Sequence, residues 1–493
     1  MNKNRNPFAK VISNSIFFSI GTVAGKFVNI AMLPIYTFFL TDSEYGIVNT
    51  LTGFSTILCI ITMLSLRASL MRFYGEMAVE EKPVFINTVL CVIAINTFFI
   101  IGLMVAFKGL IIRYFFKGIE FWPLIFFTFL IIIFTTLFNT YQTVLQAKQE
   151  GKKYTISNIL YMCIHALFNI VFIVILRQGA VGYMTSLMLA NAILCVFGII
   201  TMCRTGDIVF KINRGYAKKA VKYAIPIVPH DLSNNISEYV SKIYLNNFLS
   251  YAATGVFSIA SQVSGMMGLV QTSLNMAFHP WFNEQMGAGE PGRENIKKFS
   301  AFVFSIYCYF CMILSFFSKE SLYVLASAEY HNAWRMVPII AVGLVIRFIY
   351  YIHSLSILYN IKASNFISLC SISGCLVNLV ASYFLIKYFH LFGAAFATTV
   401  YVTFLAIITV YYSHKVCRVD FGLKNMILNL VGVIIIMGIG LIFDYKGDDN
   451  NINLIIFLYK MILALFVTGG ILFAYRKQIK QFYVIFIKER KKG

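Results

Sequence analysis

Apolar runs of about twenty residues recur along the whole chain, separated by short polar connections. A helix of about 20 residues crosses the roughly 30 Å hydrocarbon layer of a bilayer. The runs predict fourteen helices, over residues 13–38, 46–66, 84–106, 121–145, 154–176, 180–203, 223–247, 255–281, 299–317, 334–358, 363–386, 390–412, 425–444 and 452–474. Barrel strands would instead alternate apolar and polar residues in segments of about ten. In lipid, every backbone polar group must be satisfied inside the protein, which leaves an all-α integral membrane fold. The first run contains Lys26, shows no cleavage site and is too long for a signal-peptide core, so it reads as a retained span. No connection is long enough for a separate domain.

Composition sharpens this picture. Hydrophobic residues make up 59% of the 493 and charged residues 12%, about half the ~25% of soluble domains. The net charge of +21 is of the size that suggests nucleic acid, but its distribution points elsewhere. With a cytoplasmic N-terminus, 29 of the 41 Lys and Arg fall on cytoplasmic segments, 7 on outer loops and five within spans. That asymmetry predicts a multi-pass membrane protein with both termini cytoplasmic, and no nucleic-acid partner. Lys108, Arg113 and Lys117 dissent on one outer loop, where they form either a short interfacial helix or an anion contact. Trp122, Trp281 and Trp334 fall at predicted helix ends, where amphipathic rings settle.

Cys308 and Cys311 form a C-x-x-C inside an apolar run with no second Cys/His pair, so neither a metal nor a redox role is expected. No phosphate-binding G-x-x-x-x-G-K-[ST] loop is present, and no cofactor is expected.

The sequence repeats itself. Phe39-Leu40 before Gly46-Ile47-Val48 matches Phe248-Leu249 before Gly255-Val256-Phe257 at an offset of 209 residues. Lys153 and Lys362, and Asn169-Ile170-Val171 and Asn378-Leu379-Val380, share that offset, while Gly-Ala-Val-Gly at 179–182 and Gly-Ala-Ala at 393–395 match with a two-residue shift. Helices 1–6 then repeat as 7–12. Six is even, so the halves run the same way and are related by a pseudo-two-fold along the membrane normal. The expected organisation is an N-terminal six-helix bundle over 1–210, a second over 211–414, and helices 13–14 with a basic tail over 415–493.

Ionisable groups in hydrocarbon cost several kcal/mol and normally face a cavity or a partner. Ser15, Ser19, Thr22, Lys26 and Asn29 share one face of helix 1; Asp231, Asn235, Glu238 and Lys242 share one face of helix 7; Ser264, Gly268, Gln271, Asn275 and His279 share one of helix 8. Arg347 lies near the middle of helix 10, Lys460 within helix 14, and Arg67 and Arg72 at the inner end of helix 2. Simpler readings stand beside the functional ones. Glu238 and Lys242 are four apart and can neutralise each other. Lys460 can snorkel, Arg67 and Arg72 fit the positive-inside pattern, His165 fits packing, and uncharged stripes fit helix contacts. Lys26 and Arg347 lack an intrahelical partner. Within the spans, Lys26, Lys242, Arg347 and Lys460 outnumber Asp231 and Glu238, a balance that favours an anionic cargo.

Lys26, Pro34 and Phe39-Leu40-Thr41-Asp42-Ser43-Glu44-Tyr45-Gly46, then Pro226, Gly255 to Ala260, Pro280, Glu329-Tyr330, Trp334, Pro338, Asn378 and Gly393-Ala394-Ala395 form an ordered series. It resembles the bacterial polysaccharide (Wzx-type) flippases of the multidrug/oligosaccharidyl-lipid/polysaccharide exporter superfamily. The resemblance implies a V-shaped pair of six-helix bundles of the MATE kind plus two C-terminal helices. It also implies an undecaprenyl-pyrophosphate-linked oligosaccharide, for O-antigen, capsule or a related glycan, as cargo among membrane lipids. Alternating access would be coupled to H+ or Na+, with glycosyltransferases and a glycan polymerase as partners. Lys26, Lys242 and Arg347, with Arg67, Arg72 and Lys460, are the expected cavity cations. Asp231 and Glu238 are the ion-coupling candidates, and Asn29, Asn235, Gln271 and Asn275 the cavity polar residues. A lipid II flippase remains an alternative, as does a multidrug cation antiporter, against which the cationic interior and the fourteen helices argue. An integral-membrane glycan polymerase or ligase would need catalytic groups on a substantial outer loop, and none is long enough.

Overall fold

The computed structural model describes Phe17, Gly21, Ala24, Gly25 and residues 27–476, apart from 210, 361, 362, 364, 418 and 447–452. Among the described residues, eleven helices are long and apolar enough to span a membrane. The longest, Phe366–Val416, is two limbs: His390 breaks it at φ 54°, ψ −128°, where the sequence places the joint between helices 11 and 12. The apolar Phe27–Phe39 and the more polar Val228–Phe248 complete the expected fourteen.

In chain order the first unit, Met1–Val256, contains α1 (Leu33–Phe39), α2 (Asp42–Met63), α3 (Leu66–Phe73), α4 (Lys82–Ala106), α5 (Lys108–Phe115), α6 (Phe126–Ala147), α7 (Gly151–Asn169), α8 (Gly179–Arg204), α9 (Arg214–Ala224) and α10 (Val228–Phe248). α11 (Tyr251–Gly265) begins in it. α10, which follows the bundle boundary expected near residue 210, lies within this compact unit. The reason is side-chain contact along its length: Tyr239 joins the core of Leu51, Phe54, Phe129 and Met184, and Asn246 Nδ2 donates to Thr50 Oγ1 at 2.8 Å.

The Thr41–Gly46 segment that carries the family resemblance has a local physical role. Thr41 Oγ1 accepts from Glu44 N at 3.2 Å and Glu44 Oε2 accepts from Thr41 N at 3.0 Å. This reciprocal cap satisfies two donors at the start of α2. Gly46 is then required by a close approach. A Cβ there would lie 1.8 Å from the Tyr251 carbonyl oxygen, and a Cβ on Gly255 would lie 2.0 Å from that of Asp42. The repeat offset of 209 carries Asp42 onto Tyr251 and Gly46 onto Gly255, so equivalent residues of the repeat meet reciprocally.

α2 ends at Leu64 and Ser65, both left-handed at φ 49° and 51°. Such backbone costs roughly 1–2 kcal/mol per non-glycine residue. Asn96 Nδ2 offsets part of this by donating to two carbonyls of the helix C-terminus, Ile61 O at 2.9 Å and Thr62 O at 2.8 Å, the first of which also accepts from Leu64 N at 3.3 Å.

The second unit, Phe257–Gly493, contains α12 (Met267–Gly287), α13 (Glu290–Phe316), α14 (Ser318–Leu325), α15 (Val337–Tyr359), α16 (Asn365–Cys417), α17 (Leu423–Lys446) and α18 (Leu454–Ala474). Phe282, Phe304, Tyr307, Phe348 and Phe421 fill its core, together with Cys308 and Cys311. Gly393 admits the break in α16, since a Cβ there would lie 2.1 Å from the Leu385 carbonyl oxygen.

Candidate functional site

The first unit holds a cleft of about 500 Å³ lined from α2, α3, α6, α7, α8 and α10. Arg67, Asn139, Tyr161, Asn191, Asp231 and Asn235 place polar groups on its wall among Ile60, Met63, Ile131 and Leu187. A smaller space of about 140 Å³ shares Thr52, Thr56 and Asn235 with it and adds Tyr239 and Lys242. The structure therefore brings together four of the expected site residues, Arg67, Asp231, Asn235 and Lys242.

Each is positioned by its element. The left-handed turn at Ser65 aims its hydroxyl, which donates to Asp231 Oδ2 at 2.7 Å. Asn235 Nδ2 donates to the Asp231 carbonyl at 2.9 Å, one turn back along α10. Arg67 Nη2 donates to Gln146 Oε1 at 3.0 Å and keeps further N–H donors. No ion pair joins Arg67 to Asp231 among the described residues. Lys242 is only 9% exposed. Among the described residues, Asp231, Arg67 and Lys242 beside neutral amides and hydroxyls make this wall suited to a hydrated, charged group rather than an apolar one.

The remaining expected residues are placed elsewhere or not at all. Lys26 and the side chain of Glu238 lie outside the described residues. Asn29 is exposed. Gln271 is buried and Asn275 half-buried on α12 of the second unit. Arg72 pairs with Glu76 at 3.2 Å on an exposed helix face. Arg72→Ala is therefore expected to change stability by less than about 0.5 kcal/mol, the usual worth of such pairs; a melting curve of the purified protein in detergent checks it.

Lys460 does not snorkel. It is fully buried, paired with Glu320 and with Asp444 Oδ2 at 2.9 Å, and it donates to the Phe316 carbonyl at 2.9 Å. Counting cations within the spans missed these carboxylates, because Asp444 closes a predicted helix and Glu320 lies on a predicted loop. Lys460 is thus not an excess positive charge. His165 takes the packing role: Nε2 is 3.2 Å from Asn169 Nδ2, and the ring stacks on Tyr161 at 6.0 Å. Arg347 is accessible on α15, its guanidinium carbon 5.5 Å from the Tyr351 ring centroid.

Asn139, Tyr161 and Asn191 were not singled out from the sequence. For Asn191 the available signal was a lone amide in an otherwise apolar run. Thr52, Ser55, Thr56 and Cys59 also line the cleft, and their 3-1-3 spacing marks one face of helix 2.

Solved structures share this architecture. "Lipid II flippase MurJ, inward closed conformation" superposes with a TM-score of 0.70 at 18% identity, over 94% of this chain and all of that one. An inward-facing MATE-family multidrug transporter of the MOP superfamily gives 0.62 at 14% identity, over 83% of this chain and 99% of that one. A MOP-superfamily transporter from Pyrococcus furiosus gives 0.54 at 14% identity, over 84% and 96%. No curated protein matches the sequence. The shared fold is that of an all-helical, multi-pass membrane protein. The chain belongs to the polysaccharide biosynthesis protein family, whose pattern matches residues 11–286.

Proposed function

We propose that this protein is a flippase. It carries an undecaprenyl-pyrophosphate-linked oligosaccharide from the cytoplasmic to the outer leaflet of a bacterial inner membrane by alternating access, with both termini cytoplasmic. The observation that carries this reading is the polar cleft of the first unit, with Arg67 and Asp231 on its wall and Lys242 in the adjoining space, in a chain of the polysaccharide biosynthesis family. Pyrophosphate or acidic sugars meet Lys26, Arg67, Lys242 and Arg347, while the polyprenyl tail stays in lipid. No covalent chemistry is required. Asp231 is the candidate for binding a coupling H+ or Na+, with Glu238 on the same helix. Its contact to Ser65 ties it to the end of α2, so a change of charge there acts on a strained turn.

The test is translocation of fluorescent undecaprenyl-pyrophosphate oligosaccharide by proteoliposomes. Wild-type protein is expected to transport it. Arg67→Ala and Lys242→Ala are expected to slow transport about tenfold or more at normal protein levels, the loss of one charge-assisted contact of roughly 1.5–3 kcal/mol. Wild-type rates in both variants remove these residues from the path, and no transport by wild type removes the flippase reading. The likeness to a lipid II flippase over 94% of this chain favours one second reading, a peptidoglycan-precursor flippase. Faster transport of lipid II than of other lipid-linked glycans would establish it.

A further inference from the structure

We propose that α5 is an interfacial helix that binds the phosphate head groups of anionic phospholipids at the membrane surface. Such binding is independent of what the protein transports. α5 occupies the connection between the spans α4 and α6, which the charge pattern puts outside. Lys108, Arg113 and Lys117 lie there, three of the seven Lys and Arg that the pattern leaves on outer segments. This excess runs against the positive-inside rule, so topology does not account for it.

The helix has two unlike faces. Phe107, Leu110, Ile111 and Tyr114 step by 3, 1 and 3 and so share one face. Ile111 and, past the helix end, Phe116 are buried in the first unit's core with Leu51 and Phe54, the Phe116 and Phe54 ring centroids 4.8 Å apart. Phe107, Leu110 and Tyr114 stay more than half exposed, as does Trp122 at the start of the next span. Lys108 and Arg113 flank this apolar strip and Lys117 follows it; all three are exposed, and none forms an ion pair among the described residues. Lys108 Nζ instead lies 5.2 Å from the Phe121 ring centroid, and the Arg113 guanidinium carbon 5.9 Å from that of Tyr114. Against these three cations the connection carries one carboxylate, Glu120.

These features select the partner. Exposed rings beside a span, next to an exposed tryptophan, settle between acyl chains and head groups. Helices whose bases flank an aromatic and leucine face lie in that plane, held by apolar burial and by attraction to anionic lipid. The excess of exposed bases over carboxylate favours head groups with a net negative charge, such as phosphatidylglycerol, over zwitterionic ones. A soluble protein docking on the same face would first have to strip lipid from it. Bound lipid also bears on the fold, because the Lys117 carbonyl accepts from the Tyr251 hydroxyl at 3.1 Å, and a head group held by Lys117 steadies the start of α11.

The test is quenching of tryptophan fluorescence of the full-length protein in vesicles by phosphatidylglycerol or phosphatidylcholine with brominated acyl chains. Brominated phosphatidylglycerol is expected to quench at a mole fraction at least about fivefold lower than brominated phosphatidylcholine, which is what roughly 1 kcal/mol from even one base gives. Trp122→Phe should remove most of that difference, since Trp122 is the only tryptophan of the first unit. Lys108→Gln, Arg113→Gln and Lys117→Gln in one chain should bring the two lipids level with an unchanged melting temperature, because all three side chains are exposed. Salt at about 0.5 M should do the same to wild type, as screening requires. Equal quenching of wild type by the two lipids, or a phosphatidylglycerol preference that survives the triple substitution, overturns the proposal. So does a preference abolished by millimolar inorganic phosphate, which marks a site for free anions. A Trp122 quenched by aqueous acrylamide and by neither lipid also overturns it, and marks a face left for a soluble partner.

Discussion

Gly46→Ala is expected to cost at least about 3 kcal/mol and to lower the yield of folded protein, with Gly255→Ala close behind. Overpacked sites usually lose about 1–3 kcal/mol because neighbouring side chains can rotate away. Here the added methyl would meet the Tyr251 carbonyl oxygen at 1.8 Å. Backbone cannot rotate aside, so relief requires α2 and α11 to separate at their starts. That movement disturbs the Thr41–Glu44 cap next to the contact. The double variant should be much less than additive, because once the helices have parted for one methyl the second finds room. A double-mutant cycle by thermal unfolding in detergent measures this, with a coupling of about 0.5–3 kcal/mol expected for residues in contact. Wild-type melting in Gly46→Ala would refute the close approach.

Lys460→Met is expected to destabilise the second unit by roughly 3–5 kcal/mol, the loss seen when one partner of a buried ion pair is removed. The substitution retains the apolar length of the side chain but leaves Asp444 and Glu320 without their shared cation. Lys319 Nζ lies 4.0 Å from Asp444 Oδ1. Adding Asp444→Asn and Glu320→Gln to Lys460→Met should restore much of the stability, since neutral groups are far cheaper to bury. Transport per folded molecule should be unaffected, which separates Lys460 from Arg67, Lys242 and Arg347. An unchanged melting temperature in Lys460→Met, or a selective loss of transport with normal folding, would contradict this assignment.

The spans were legible because bilayer thickness imposes a length that hydropathy alone reveals; even the joint at His390 falls where the apolar pattern pauses. The short α3, α9 and α14 were not, because eight to eleven residues at a span's end carry little periodic signal. The duplication was readable from spaced matches, but its physical basis, two glycines each facing a carbonyl of the other helix, needed coordinates. Within the site, Asp231 and Asn235 of the α10 stripe line one cleft, because helical spacing fixes which side chains share a face. Spacing does not say what lies across from a face. Ser65 is 166 residues from its partner Asp231, and the neutralisation of Lys460 depends on two other helices. Charge balance read along a chain therefore overestimates the cations available to a cargo.

The reciprocal glycine contact bears on the protein's origin. Residue 46 touching 251 while 255 touches 42 is the contact two identical molecules make across a dyad. Two copies of a single segment meeting through this surface would make the same pair of contacts.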